Sequence, residues 1–387
     1  MPNETLARAG PEEEHNALRS VQRTGLSSLT VTLPKAWADA FNVRTGSMVR
    51  FHDLGEGRLE LSPAGRPPGE EGHRTLHIEA SDCPPQLLSR LLVGAYITGQ
   101  DHVLITSRRE LSGELRAEVE RIARRVLGMS LIEDEPNRLE IRVFLDATKH
   151  RLPGLLDRVV RMIRLELELC RKALEAGDPA PLEKIAPVEE EIDRFYLLMA
   201  RQILLASNDF QVARDIGVPS HHYQLGYRVV VKMLEVSADL LATVAEDLSK
   251  EVTRGEDAEE LLSQLAQFDA SLGQTMEAFR EVSACCAHEA LTEIEAWTLR
   301  QSMLSGSLIG RSRDKVGAAR VQRILSSLGT AGELLAIINE ITINRSVEPE
   351  TVASGGGRAV VACHSPAAVS RSRTDARPAA AVPPARP

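Results

Sequence analysis

What this chain has little of narrows its class. Aromatic residues are 3% of its 387 residues, so a core built on large rings is excluded and burial falls to aliphatic side chains. Cys83, Cys170, Cys285, Cys286 and Cys363 are odd in number and form no CxxC pair, which argues against a structural zinc site or a disulfide framework and for reduced thiols in helix cores. No run reaches the ~20 apolar residues of a membrane span. The opening MPNETLARAGPEEEH lacks the apolar stretch of a signal peptide. The expectation is a cytoplasmic protein without membrane insertion. There is no glycine-rich phosphate loop, GxSxG elbow or clustered Ser/His/Asp set. No Glu-x-x-His of the di-metal oxidase type falls in a helical segment; Glu12 to His15, the near match, lies in the polar opening segment. These absences point away from an enzyme.

Charge is present, and it is divided. Arg19, Arg23, Lys35, Arg44 and Arg50 against Asp39 give residues 19–50 a charge of +4 in a chain of formal net charge −9, so the rest carries −13. A small basic module on an acidic body suggests a nucleic-acid reader attached to something with a different task. In this module strand signals occur at Leu18–Gln22, Leu29–Leu33, Met48–Asp53 and Arg58–Ser62, with a short helix from about Pro34 to Phe41. Trp37 reads as core. About 45 residues of short strands bury little surface alone, so a second copy is expected to complete the core.

Beyond this module, 18–63, and a Pro/Gly linker, 64–72, strands and helices alternate over 73–147, which implies a small α/β domain with helices on one face of a sheet. Helical patterns then fill 150–345, at about 153–176, 181–207, 219–250, 257–286, 289–311 and 315–345, as six long helices in two antiparallel bundles. Segments 1–17 and 346–387 have the composition of disorder. The predicted fold is multidomain and mainly α.

Two predicted helices carry acidic pairs four apart: Glu189 and Asp193, then Glu235 and Asp239. Residues at i and i+4 share a helix face, and here that face is partly apolar. Two such faces on adjacent helices would offer four carboxylates to Mg, Mn or Fe. The same spacing suits a solvated face whose ion pairs come from Arg194, Arg201, Arg228 and Lys232. His221 and His222 open the third bundle helix and read as capping or surface residues.

The pattern R-x-V-Q-x-x-G-x-S-S-x-x-V-T-L-P-K-x-W, with LLVGAYITGQDHVLI, EEEIDRFYLLMARQ and INEITINR, resembles archaeal-type PhoU-domain phosphate uptake regulators with an N-terminal AbrB/MazE/SpoVT-type module, over roughly 18–345. The resemblance implies a swapped-hairpin β module, a small α/β connecting domain and a PhoU-like pair of three-helix bundles. It implies a homodimer that contacts DNA through Arg19, Arg23 and Lys35, with Arg44 and Arg50 behind them. It implies divalent or iron-type metal ions at Glu189, Asp193, Glu235 and Asp239. In the second repeat the motif is degraded to Gly329 and Glu333, with Glu289 and Glu293 as loose counterparts, so one metal site is expected. The implied function is regulation of phosphate uptake and homeostasis at the level of transcription, with a phosphate transporter subunit or signalling protein as a further partner. The alternative is an adaptor that dimerises through the N-terminal module without binding DNA and regulates a phosphate transporter. An antitoxin role is the weaker option, because nearly 200 helical residues stand where a short toxin-binding tail would follow.

Overall fold

The computed structural model describes residues 18–55, 57–64, 75–218, 221–250, 252–311 and 315–348. The 1–17 segment, the 64–72 linker beyond Ala64 and the 346–387 tail beyond Glu348 lie outside these residues. The chain divides into two units, residues 1–72 and 73–350, taken in turn.

The first unit holds β1 (Gln22–Thr24), β2 (Ser28–Thr30), α1 (Lys35–Ala40), β3 (Val49–Gly55) and β4 (Arg58–Pro63). The first hairpin departs from expectation. Its ladder has three rungs, Gln22↔Thr30, Arg23↔Leu29 and Thr24↔Ser28, where strands at Leu18–Gln22 and Leu29–Leu33 were expected. Gly25, at φ +80°, sits in the tight turn and draws the pairing towards itself. Pro34 precedes α1 as its cap. In the second hairpin Val49, Phe51, Leu59, Leu61 and Pro63 share one face, and Arg50, His52, Glu60 and Ser62 share the other. No described residue of this unit is buried. Trp37, expected in a core, is half-buried against Phe41, ring centroids 5.4 Å apart.

The second unit begins with β5 (Thr75–Glu79), α2 (Pro85–Ile97), β6 (His102–Thr106), α3 (Gly113–Arg125), β7 (Met129–Glu135) and β8 (Arg138–Val143). The sheet order is β5-β6-β8-β7, with β5 and β6 parallel around the α2 crossover. Val103 and Ile105 pair with Ile141 and Leu139, and this buried face packs with Leu88, Leu92 and Tyr96 of α2 and Val119 and Ile122 of α3. The period-two and period-3.6 patterns in the sequence therefore meet in one core.

The helical body comprises α4 (Leu152–Ala176), α5 (Ile185–Ala206), short α6 (Phe210–Asp215), α7 (His221–Lys250), α8 (Glu256–Glu281), α9 (Ala284–Arg311) and α10 (Lys315–Ser346). Helices α4, α5 and α7 pack together, as do α8, α9 and α10; α7 also packs on α10, which joins the two bundles through one core. The helix expected over 257–286 stops earlier, at Val282, which adopts a left-handed φ of +53° and turns the chain into α9. Helix α6 was not foreseen; six residues are too few for a periodicity signal. Helix α10 is long and apolar enough to cross a membrane by length and composition, although no 20-residue apolar run was expected. Val321, Ile324, Leu325, Leu328, Leu335 and Ile338 bury its apolar side in the bundle core.

One side chain fastens the helical body to the sheet domain. Arg201 of α5, 2% exposed, donates from Nη1 to the carbonyls of Tyr96 (2.7 Å) and Gln100 (3.1 Å), and its Nη2 meets Asp101. Its role as a surface ion-pair partner of the acidic pairs is thereby corrected: it faces the end of α2, whose last carbonyls lack helical partners. Leu197, one turn earlier, enters the sheet-domain core. Arg201→Ala removes the buried fork that bonds the Tyr96 and Gln100 carbonyls and Asp101, and should lower the unfolding free energy by about 2–4 kcal/mol. A urea midpoint should show the decrease, and Arg201→Lys, lacking the planar fork, should restore only part of it.

Candidate functional site

Helix α5 turns Glu189 and Asp193 to the same side, and α7 brings Asp239 beside them. Carboxylate oxygens of these three residues lie within 4.8 Å of one another. Among the described residues this is the cluster of three His, Cys, Asp or Glu that could share an ion. Asp193 is buried, Glu189 half-buried and Asp239 exposed, so the cluster opens from the bundle interior to its surface. The fourth expected ligand, Glu235, is buried one turn before Asp239 and is engaged by Lys232. Lys232 also lies over the Tyr196 ring, 4.9 Å from its centroid. Arg228 donates to the Tyr196 hydroxyl at 3.4 Å.

Sequence reasoning missed a fifth carboxylate. Glu166 of α4 is fully buried, and neither of its carboxylate oxygens has a hydrogen-bond partner. Burial first, then the neighbouring charges of Glu189 and Asp239, push its pKa up to about 9. Burial and the facing carboxylates also raise Glu189 and Asp239, and burial raises Glu235 despite Lys232. The signal was available: Glu166 stands three residues after Ile163 and four before Cys170, inside the apolar stripe of α4, where a glutamate breaks the pattern.

Positive charge reaches the cluster from outside the bundle. Arg125, the last residue of α3, donates from Nη2 to Asp193 Oδ2. Arg194 ties the same corner from the other side, donating from Nη2 to the Arg124 carbonyl at 2.9 Å. Its ion pairs are with Glu190 and Glu191 rather than with the acidic pairs it was expected to neutralise.

The second bundle solves the same interior differently. Where a second carboxylate set was not expected, Trp297 is buried and donates from Nε1 to Gln264 Oε1 at 2.6 Å. Asn339 donates to Thr275 Oγ1 at 2.9 Å. Gly329 and Gly332 leave room for Gln301 and Trp297, which a Cβ at either position would strike. Neutral amides and an indole fill the space. His221 and His222 begin α7, but their side chains lie outside the described part.

In the first unit Arg19, Arg23, Lys35, Arg44 and Arg50 are all exposed. Arg23 shares a face with Leu29 at the turn end of the first hairpin, and Lys35 opens α1. Arg44 donates from Nε to Asn42 Oδ1 at 3.0 Å in the turn after α1. Arg50 lies across from Ser62 on the polar face of the second hairpin. Two short hairpins, a one-turn-and-a-half helix and an uncovered apolar surface form a recognisable unit. Residues 22–69 match the family model described as antidote-toxin recognition MazE, bacterial antitoxin. No curated protein matches the chain. The matched stretch takes in all four strands of the MazE-like module and four of the five cations expected to contact DNA; Arg19 precedes it.

The buried glutamate has a consequence for stability. The Glu166 pKa rises from 4.5 in an unfolded chain to about 9 in the fold. Between those values the folded state holds the extra proton, so this group lowers stability as pH rises. In chelator-treated protein, the unfolding free energy of wild type relative to Glu166→Gln should fall progressively from pH 5 to pH 9. Equal slopes in the two proteins would refute the shift.

Proposed function

We propose that this protein is a homodimeric DNA-binding regulator whose helical body holds a divalent cation. The observation that carries the first half is the MazE-like module, none of whose described residues is buried. Leu18, Val21, Leu26, Leu29, Met48 and Phe51 are each more than half exposed within a span of 34 residues. Covering a side chain of this kind is worth ~1.5–3 kcal/mol. Six of them supply about 10 kcal/mol per chain, which is of the size needed to offset the ~4–15 kcal/mol cost of association. A second copy of the same module is the natural cover, because a two-fold pairing sets each apolar face against its equal. Arg19, Arg23, Lys35, Arg44 and Arg50 then occur twice, related by that axis, and suit a pseudo-palindromic duplex site.

The cation half rests on donor chemistry. Glu189, Asp193 and Asp239 offer hard oxygen ligands, which favour Mg, Mn or Fe(II) over softer ions. The unpartnered Glu166 supplies a further negative group in a place where a lone carboxylate is costly. A bound ion would hold these groups ionised. The assignment to phosphate uptake, and to a transporter subunit or signalling protein as a further partner, rests on the likeness of EEEIDRFYLLMARQ and INEITINR to PhoU-type helices.

Light scattering of the full chain should give twice its 42.3 kDa mass. Phe51→Glu should shift that mass towards the monomer. Genomic fragments should be retained in a gel shift at low salt and released as salt rises. The Arg19→Ala, Arg23→Ala, Lys35→Ala triple variant should bind at least tenfold more weakly. Its salt slope should be shallower by about 0.9 for each phosphate that is no longer neutralised. A dimer that retains no fragment at low salt would favour the adaptor alternative and overturn the DNA-binding half.

A further inference from the structure

Asp193 faces two ways. On one side it belongs to the cluster with Glu189 and Asp239; on the other it accepts from Arg125 of the sheet domain. The carboxylate is buried, and the guanidinium is 42% exposed at its side chain. Lys232 engages Glu235 from three residues away on the same helix and lies over the Tyr196 ring of α5, so it stays within the bundle. Arg125 lies 68 residues from Asp193 and carries the end of another domain's helix.

We infer that Arg125 and a divalent cation compete for Asp193, so that cation binding loosens the end of α3 from α5. This rests on the cation-site reading above. The buried, unpartnered Glu166 is the independent observation that the cluster lacks positive charge on its inner side, where Arg125 does not bond. A doubly charged ion beside Asp193 repels the guanidinium and draws the carboxylate inward. The remaining tie at this corner, Arg194 to the Arg124 carbonyl, involves a neutral acceptor. Leu197 and Arg201, one and two turns further along α5, pack and bond against the sheet domain and hold the rest of it in place. The motion is therefore a local release of the α3 terminus rather than a separation of domains. Because coupling is reciprocal, whatever holds Arg125 on Asp193 weakens cation binding by the same factor.

The test uses the full chain, stripped with chelator, and Mn2+ as the probe. Calorimetric titration should show Arg125→Ala binding Mn2+ at least fivefold more tightly than wild type, with Arg125→Lys returning towards the wild-type affinity. Hydrogen exchange over 119–127 should speed up when wild type is saturated with Mn2+. In Arg125→Ala it should be fast with or without the ion. Mn2+ binding that is abolished in Asp193→Asn plus Asp239→Asn but is unchanged or weaker in Arg125→Ala would overturn the competition alone. Failure of wild type and Arg125→Ala alike to bind Mn2+ would overturn the cation-site reading and the competition with it.

Discussion

A carboxylate shut away from water must keep a proton or find positive charge, and the first bundle is organised around that requirement. Glu166 lies inside it without a partner, and Asp193 and Glu235 are buried with cations brought to them. The cost of such groups is several kcal/mol each if left uncompensated. That cost exceeds what a surface ion pair or a helix propensity contributes, so it governs which side chains the bundle must recruit. Arg125 comes from another domain, while Arg158 pairs with Glu191, Arg171 with Glu168 and Arg201 with the end of α2.

Helix α5 is where these demands converge. One stripe fills the bundle, and the row of Glu189, Asp193, Leu197 and Arg201, each four residues from the last, passes from the acidic cluster to the sheet domain. Its successive turns therefore serve three neighbours. The second bundle buries neutral groups instead: Trp297 donates to Gln264 and Asn339 to Thr275. The MazE-like module stands at the opposite extreme: its apolar faces are formed by strand alternation, yet none of its described residues is buried.

Much of this was legible in the sequence. The long helices followed from three-and-four spacing, with ends within a few residues of those observed, and the sheet-domain strands from alternation. The acidic pairs were visible as pairs. Their partners were not. Arg125 and Asp193, or Arg201 and Tyr96, are 68 and 105 residues apart, and no local period connects them. Glu235 shares its spacing with Glu189, yet Lys232 draws it aside from the cluster. Glu166 was legible as a flaw in an apolar stripe, but its meaning required knowing which helices press against it.

Sequence alone determined the local periods, the division of charge between a basic head segment and an acidic body, and the type of donor available to an ion. These are properties of neighbouring residues and of composition. The tertiary structure decided which carboxylates meet, which are sealed from water and which cation faces each of them. Electrostatic cost depends on distance and burial in space, and both are set only when distant segments pack.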